Sequence, residues 1–155
     1  MHLSIIVPIY NENSILCENI SKIHECFDKK FNFEIIVVDD DSIDGTSEIV
    51  EKYTKEKSSL KFISRKNKKR NLALSINEGI NLSKYDYVIW MDADFQHPPK
   101  YIDKFIDFSK EYDAVIASRF LKESKRYFNT KEFKKEINEN QSYFYNKICR
   151  SLFFK

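Results

Sequence analysis

Two aspartates one residue apart, Asp92 and Asp94, follow the apolar run YVIWM and could hold a metal ion. In an extended segment, residues i and i+2 point to the same side, so both carboxylates can face one ligand. Oxygen ligation of this kind suits Mg²⁺ or Mn²⁺, which bridge protein carboxylates and substrate phosphates. Gln96 could add a neutral oxygen, whereas His97 is expected to cap a helix or pack against the prolines rather than bind the ion. The alternative interpretation is a turn of solvated acids, since aspartates are common in turns.

A second acidic cluster, Asp39-Asp40-Asp41, follows the apolar run IIVV. Adjacent carboxylates at a strand end are costly unless they accept hydrogen bonds from a ligand or from backbone donors. A base or a ribose offers such N–H and O–H donors, and we assign this contact to Asp39 and Asp40. Part of the cluster is structural, because Ser42 or Asp44 could cap the helix that follows.

The elements that must position these acids alternate between apolar runs of strand length and amphipathic stretches. Continuous apolar strands separated by helices indicate an α/β fold, with a mostly parallel sheet covered by helices on both faces. Such a sheet binds ligands at the carboxyl ends of its strands, where the polar clusters stand. We predict strands over 3–10, 33–40, 60–64, 85–94 and 113–120, and helices over 12–30, 46–57 (capped by Thr46), 69–83, after Pro98-Pro99, and near the C-terminus.

Composition limits the partners and the compartment. The chain has 155 residues, of which 42% are hydrophobic, enough for one domain with a core. The 26 basic and 24 acidic residues nearly balance, which gives no support for nucleic-acid binding. Three cysteines without metal-type spacing indicate reduced thiols in the cytoplasm. No apolar run reaches the roughly 20 residues of a membrane span, so we expect any membrane contact to be peripheral, at the cytoplasmic face.

Four motifs, in this order and at these spacings, resemble the family-2 glycosyltransferases of the Rossmann-like GT-A fold: IIVPIYNE, IIVVDDDSIDGT, VIWMDADFQHPP and VIASRF. The second and third look most like the branch that moves a sugar onto a polyprenyl phosphate, the dolichol-phosphate mannose synthases and their bacterial relatives. The resemblance implies a nucleotide-sugar-binding core over residues 1–120. Residues 121–155 then form an acceptor-side loop and an amphipathic helix of the same, incomplete domain.

The resemblance implies an inverting transfer of a sugar from GDP-mannose or a UDP-hexose to a polyprenyl phosphate. A divalent ion and an arginine would stabilise the charge on the departing diphosphate. The acceptor phosphate is already anionic, so no strong general base is required. The implied roles are nucleotide-sugar binding by Pro8, Tyr10, Glu12, Asp39, Asp40 and Asp92, metal binding by Asp92, Asp94 and Gln96, and catalysis by Asp92, Asp94 and Arg119.

The acceptor side departs from the family pattern. Arg119 and Ser142 match positions near the phosphates, but Asn138 stands where relatives carry a second arginine, and Arg126 could substitute for it. The terminal run SYFYNKICRSLFFK is aromatic and amphipathic, which suits a membrane surface, a partner subunit, or packing on the chain's own sheet. Relatives continue beyond this point, so we expect the chain to be a fragment, to need a second polypeptide, or to be a degenerate remnant.

Two rival functions stay open at this level. The first is a non-catalytic module that binds a nucleotide sugar, or a subunit that needs a partner chain. The second is a phosphatase or receiver domain. Such a domain requires a nucleophilic aspartate at the end of the first strand and a lysine at the end of a late strand. Tyr10-Asn11 and Ser118-Arg119 occupy those places, which argues against the second rival.

Overall fold

The computed structural model describes residues 2–27, 30–94, 101–112 and 114–116. The chain divides into two compact units, Met1–Tyr101 and Ile102–Lys155. The first contains β1 (His2–Ile9), α1 (Asn13–Phe27), β2 (Asn32–Asp39), α2 (Thr46–Glu56), β3 (Leu60–Ser64), α3 (Leu72–Asn81) and β4 (Tyr87–Trp90), and the second contains α4 (Ile102–Phe108). None of the helices in this described part has the length and hydropathy needed to cross a bilayer.

The four strands form one parallel sheet in the order β3-β2-β1-β4. Ile6 of β1 lies beside Ile36 of β2 on one side and beside Trp90 of β4 on the other. The central strands β1 and β2 are almost wholly buried, as continuous apolar runs predict. The predicted α/β class with a parallel sheet is confirmed.

Helices cover both faces of this sheet. The ring of Phe27 in α1 lies 5.8 Å from the ring of Phe33 in β2. Gly79 of α3 packs on Ile6, so closely that an added Cβ would stand 2.6 Å from the Ile6 Cγ2 atom. Phe33 and Ile6 point to opposite faces, because Phe33 pairs with Leu3 and side chains alternate along a strand.

The structure corrects the predicted cap of α2 and the predicted fifth strand. Thr46 is the first residue of α2 rather than its cap; Gly45, with φ of 87°, holds the cap position. Asp44, predicted with Ser42 as a possible cap, lies one residue before the cap position, and its carboxylate accepts the N–H of the first helical residue, Thr46, at 3.1 Å. The strand predicted over 113–120 is absent from its described part, residues 114–116, where Ile116 is 42% exposed. An apolar run becomes a strand only beside an edge that supplies hydrogen bonds.

A buried carboxylate, Glu34, ties together the amino ends of the strands. One of its oxygens accepts hydrogen bonds from the Ser4 hydroxyl and the Lys84 N–H, both at 2.6 Å, and the other forms an ion pair with the Lys61 ammonium at 2.7 Å. Burial acts to raise the pKa of Glu34, but these donors outweigh it, so the pKa lies below its ordinary value. The folded protein therefore favours the charged form of this carboxyl group.

The Glu34→Gln variant is expected to lose about 1–3 kcal/mol of unfolding free energy at pH 7, because hydrogen bonds to a charged group are lost. Since the folded pKa is lower than the unfolded one, this stabilisation is complete above the ordinary pKa of 4.5 and disappears as the pH falls through the folded pKa. Urea denaturation of variant and wild type at pH 7 and at about pH 3 measures the difference.

The matched control is Glu18→Gln, because Glu18 pairs with Lys22 on the surface of α1 and its side chain is 62% exposed. We expect this control to change the unfolding free energy by less than about 0.5 kcal/mol. A stability difference at position 34 that stays constant from pH 7 to acid would contradict the assigned role.

Candidate functional site

Polar segments leave the sheet at the carboxyl ends of three adjacent strands. Ile9 at the end of β1 lies beside Asp39 at the end of β2, and Ile6 of β1 lies beside Trp90 at the end of β4. Residues 10–12, 40–42 and 91–94 therefore emerge at one edge. The strand order turns back at β1, which is where parallel sheets bind ligands.

The acid pair lies just beyond the hydrogen bonds of the sheet. The N–H of Met91 donates to the carbonyl of Ile6 at 3.1 Å. Burial then alternates: Met91 and Ala93 are each 3% exposed, whereas Asp92 and Asp94 are partly exposed. The alternation expected from the i, i+2 spacing thus continues to Asp94, with both aspartates on the less buried side.

Glu12, from the turn between β1 and α1, lies in the same electrostatic environment. Burial raises the pKa of Glu12, and the negative charges of Asp94, Asp92 and Asp44 raise it further. Acids from three segments far apart in sequence therefore act on one another. Such a concentration of negative charge disfavours ionisation unless a cation is present.

The donor chemistry of this edge fits a hard divalent cation. Within residues 2–27, 30–94, 101–112 and 114–116, no group of three His, Cys, Asp or Glu side chains is arranged to hold a metal. Mg²⁺, however, is usually held by only one or two carboxylates together with substrate phosphates and water. Asp92 and Asp94 supply these two carboxylates. The pKa of Glu12 is raised partly by their negative charge, which a cation would offset.

Asp39 is 1% exposed and holds the loop between β2 and α2 in place. One carboxylate oxygen accepts the N–H of Ser42 at 3.1 Å and its hydroxyl at 2.5 Å, and the other accepts the hydroxyl of Ser47. A carboxylate offers about four acceptor positions. The predicted contact with a base or ribose would use the position that these three bonds leave.

Asp40 forms a buried ion pair with Arg65, a residue that the sequence motifs did not single out. Asp40 and Arg65 are 7% and 2% exposed, and the guanidinium contacts one carboxylate oxygen. The other oxygen accepts the N–H of Asn71, the cap of α3, at 2.7 Å. Arg65 also donates to the Ser75 hydroxyl at 2.9 Å and to Glu78 at 3.2 Å. The pair therefore anchors the start of α3 to the end of β2.

Arg70, in the loop that this ion pair anchors, lies over a predicted nucleotide contact. Its guanidinium carbon is 4.3 Å from the centroid of the Tyr10 ring, a cation–π geometry, and Tyr10 is 38% exposed. Lys68, in the same loop, forms an ion pair with Glu78 at 2.7 Å. A positively charged group thus stands beside the acidic edge.

The remaining predicted site residues divide into two groups. Pro8 lies within β1, buried beside Val38 and close to the carboxyl edge. Gln96, His97, Arg119, Arg126 and Ser142 lie outside the described residues.

The chain is similar to known glycosyltransferases over nearly its whole length. The family model described as Glycosyl transferase family 2 matches residues 4–154. A dolichol-phosphate mannosyltransferase of Pyrococcus furiosus is 39% identical over 126 residues, covering 81% of this chain and 35% of that protein. An undecaprenyl-phosphate 4-deoxy-4-formamido-L-arabinose transferase of Aeromonas hydrophila is 30% identical over 119 residues, covering 76% of this chain and 36% of that protein. The chain thus spans about a third of the length of these relatives.

Among solved structures, the mannosyltransferase PcManGT of Pyrobaculum calidifontis superposes with a TM-score of 0.52 at 29% identity. The match covers 59% of this chain and 27% of PcManGT, whose structure is a complex with GDP-Man and Mn²⁺. The parallel sheet and its helices therefore have the GT-A arrangement that the motifs predict.

Proposed function

The chain belongs to glycosyl transferase family 2, and on this premise we propose that it binds a nucleoside diphosphate sugar and transfers the sugar to a polyprenyl phosphate. The observation that carries the proposal is that residues 10–12 and 91–94 leave the sheet at the edge where the strand order turns back, where the charges of Asp94 and Asp92 help to raise the pKa of Glu12, after its burial. Support also comes from PcManGT, in which GDP-Man and Mn²⁺ are bound together, and from relatives named for polyprenyl-phosphate acceptors.

On the donor side, Asp92 and Asp94 would hold Mg²⁺ or Mn²⁺, with Gln96 as a further oxygen ligand. When bound, the ion would offset the negative charge of the diphosphate that leaves. Pro8, Tyr10, Glu12, Asp39 and Asp40 would border the base and ribose. Tyr10 is partly exposed, and the guanidinium of Arg70 covers one face of its ring.

On the acceptor side, an oxygen of the polyprenyl phosphate attacks the anomeric carbon as the bond from that carbon to the diphosphate breaks. In-line attack inverts the configuration at this carbon, and the anionic oxygen needs no base to remove a proton. Arg119, Arg126 and Ser142 would hold the two phosphates. We propose that the reaction takes place at the cytoplasmic face of a membrane, which the aromatic C-terminal run or a partner subunit would contact.

A second candidate is a nucleotide-sugar-binding module that does not turn over. It is favoured by Asn138, a neutral residue at the acceptor-side position where the family pattern has an arginine. All of the donor residues named above except Gln96 are among the described residues, and binding needs fewer groups than transfer does.

A thermal-shift screen of nucleoside diphosphates and their sugars, with Mn²⁺ and then with EDTA, tests the proposal. Any ligand that binds only the native state raises Tm, even if no chemistry follows. We expect GDP-mannose or a UDP-hexose to raise Tm with Mn²⁺ and not with EDTA. Product assays with a polyprenyl phosphate then distinguish a transferase from a binding module. If no nucleotide shifted Tm, both candidate functions would be contradicted.

A further inference from the structure

A buried asparagine of α1 reaches the backbone of the acid pair from the face of the sheet. Asn19 is 0% exposed, and its side-chain amide nitrogen lies 3.3 Å from the carbonyl oxygen of Asp92. A carbonyl oxygen can only accept, so the amide must present its N–H₂ group to Asp92. The contact joins residues 73 positions apart in sequence.

This contact lies just beyond the hydrogen bonds between β4 and β1. The strand β4 ends at Trp90, and the Met91 N–H still bonds to the carbonyl of Ile6 at 3.1 Å. The carbonyl of Asp92 is held by Asn19 instead. The position of the two carboxylates beyond this point thus depends on a side chain of α1.

Folding stability alone does not explain an amide at this place. Asn19 lies three residues after Leu16 and four before Ile23, on the side of α1 where both of those residues are 0% exposed. Within the described residues the side-chain oxygen of Asn19 has no hydrogen-bond partner. Burial of a polar atom without a partner is costly, and an apolar residue would pack here without that cost.

We propose that Asn19 is a positioning residue for the metal-binding acid pair: it fixes the carbonyl of Asp92 so that the carboxylates of Asp92 and Asp94 reach one cation. The inference rests on the proposed function, because it assumes that these two aspartates bind a divalent ion. Groups that orient metal ligands typically change metal affinity by 10- to 100-fold when they are removed.

The single tryptophan of the chain provides the measurement, since Trp90 stands two residues before Asp92. Paramagnetic Mn²⁺ quenches the fluorescence of a nearby indole, so a titration of Mn²⁺ in the presence of GDP gives an apparent Kd without any turnover. The Asn19→Leu variant is expected to raise this Kd about tenfold or more. Its midpoint of urea unfolding should stay at or above that of wild type. If this variant does not fold, Asn19→Ala, which removes the same donor, should raise the Kd likewise.

The matched control is Ile23→Val on the same side of α1. It should lower the midpoint of urea unfolding slightly and leave the Kd for Mn²⁺ unchanged, because Ile23 makes no contact of this kind with Asp92. An unchanged Kd in Asn19→Leu, with wild type still showing saturable quenching, would overturn the positioning role. Wild-type quenching no stronger than that of Asp94→Asn would instead contradict the metal site of the proposed function itself.

Discussion

The Asp94→Ala variant is expected to lose the metal-dependent stabilisation that we propose a nucleoside diphosphate sugar gives to the wild-type chain. A ligand present at about 100 times its Kd stabilises the native state by about 2.7 kcal/mol. For a chain of this size that corresponds to a rise in Tm of roughly 5–10 °C. The variant should show almost none of this rise, because one of the two carboxylates proposed to hold the cation is gone. Any transfer activity should fall by about 10²–10³-fold or more.

The control for this change is Asp86→Ala, which also removes one negative charge next to β4. Asp86 is exposed and precedes the strand, at the edge opposite to the acid pair. We expect it to keep the full ligand-induced rise in Tm. Equal shifts in the two variants would show that the acid pair is not the site of the metal-dependent effect.

The Arg65→Ala variant should lose about 3–5 kcal/mol of unfolding free energy, a large part of the total for a domain of this size. The guanidinium is 2% exposed, and its removal leaves the Asp40 carboxylate buried without its opposite charge. It also removes the donors to Ser75 and Glu78 that hold the start of α3. Urea denaturation at pH 7 measures the loss.

A double-mutant cycle with Asp40→Ala separates the ion pair from the general effect of truncation. The double variant should be more stable than the sum of the two single losses predicts, because neither charge is then left alone. Lys68→Ala is the control, since its ammonium also pairs with Glu78 but its side chain is 52% exposed. That change should cost less than about 1 kcal/mol. Strict additivity of the two single losses would contradict the anchoring role.

The strands could be predicted from the sequence because each is a continuous apolar run with polar residues at its end. The predicted third strand, 60–64, has the bounds of β3, and the first two differ from β1 and β2 by one residue at each end. The start of α3 was placed three residues early, at 69 rather than at Leu72. The cap, Asn71, is a local signal that this prediction overlooked, because its side chain accepts the N–H of Leu74 at 3.1 Å. The second contact of Asn71, with Asp40, could not be predicted because the two residues are far apart in sequence.

That acidic residues stand together at one edge could be predicted, because strand ends in a parallel sheet share one edge, whatever the order of the strands. The residues that hold them could not. Arg65 meets Asp40 only because β3 lies beside β2, and a single sequence does not reveal that neighbour. Asn19 gave one signal, a polar residue on the apolar side of a helix, but its partner at Asp92 depends on how α1 crosses the sheet.

Calorimetric titration of GDP-mannose and of a UDP-hexose into the wild-type chain, first with Mn²⁺ and then with excess EDTA, tests most directly whether the acidic edge binds a cation together with a diphosphate. We predict that at least one donor binds with Mn²⁺ and that its affinity falls at least about tenfold in EDTA, a loss of about 1.4 kcal/mol. Equal affinity in the two conditions would contradict the account, because the acids of this edge would then bind the nucleotide without the cation that their charge requires.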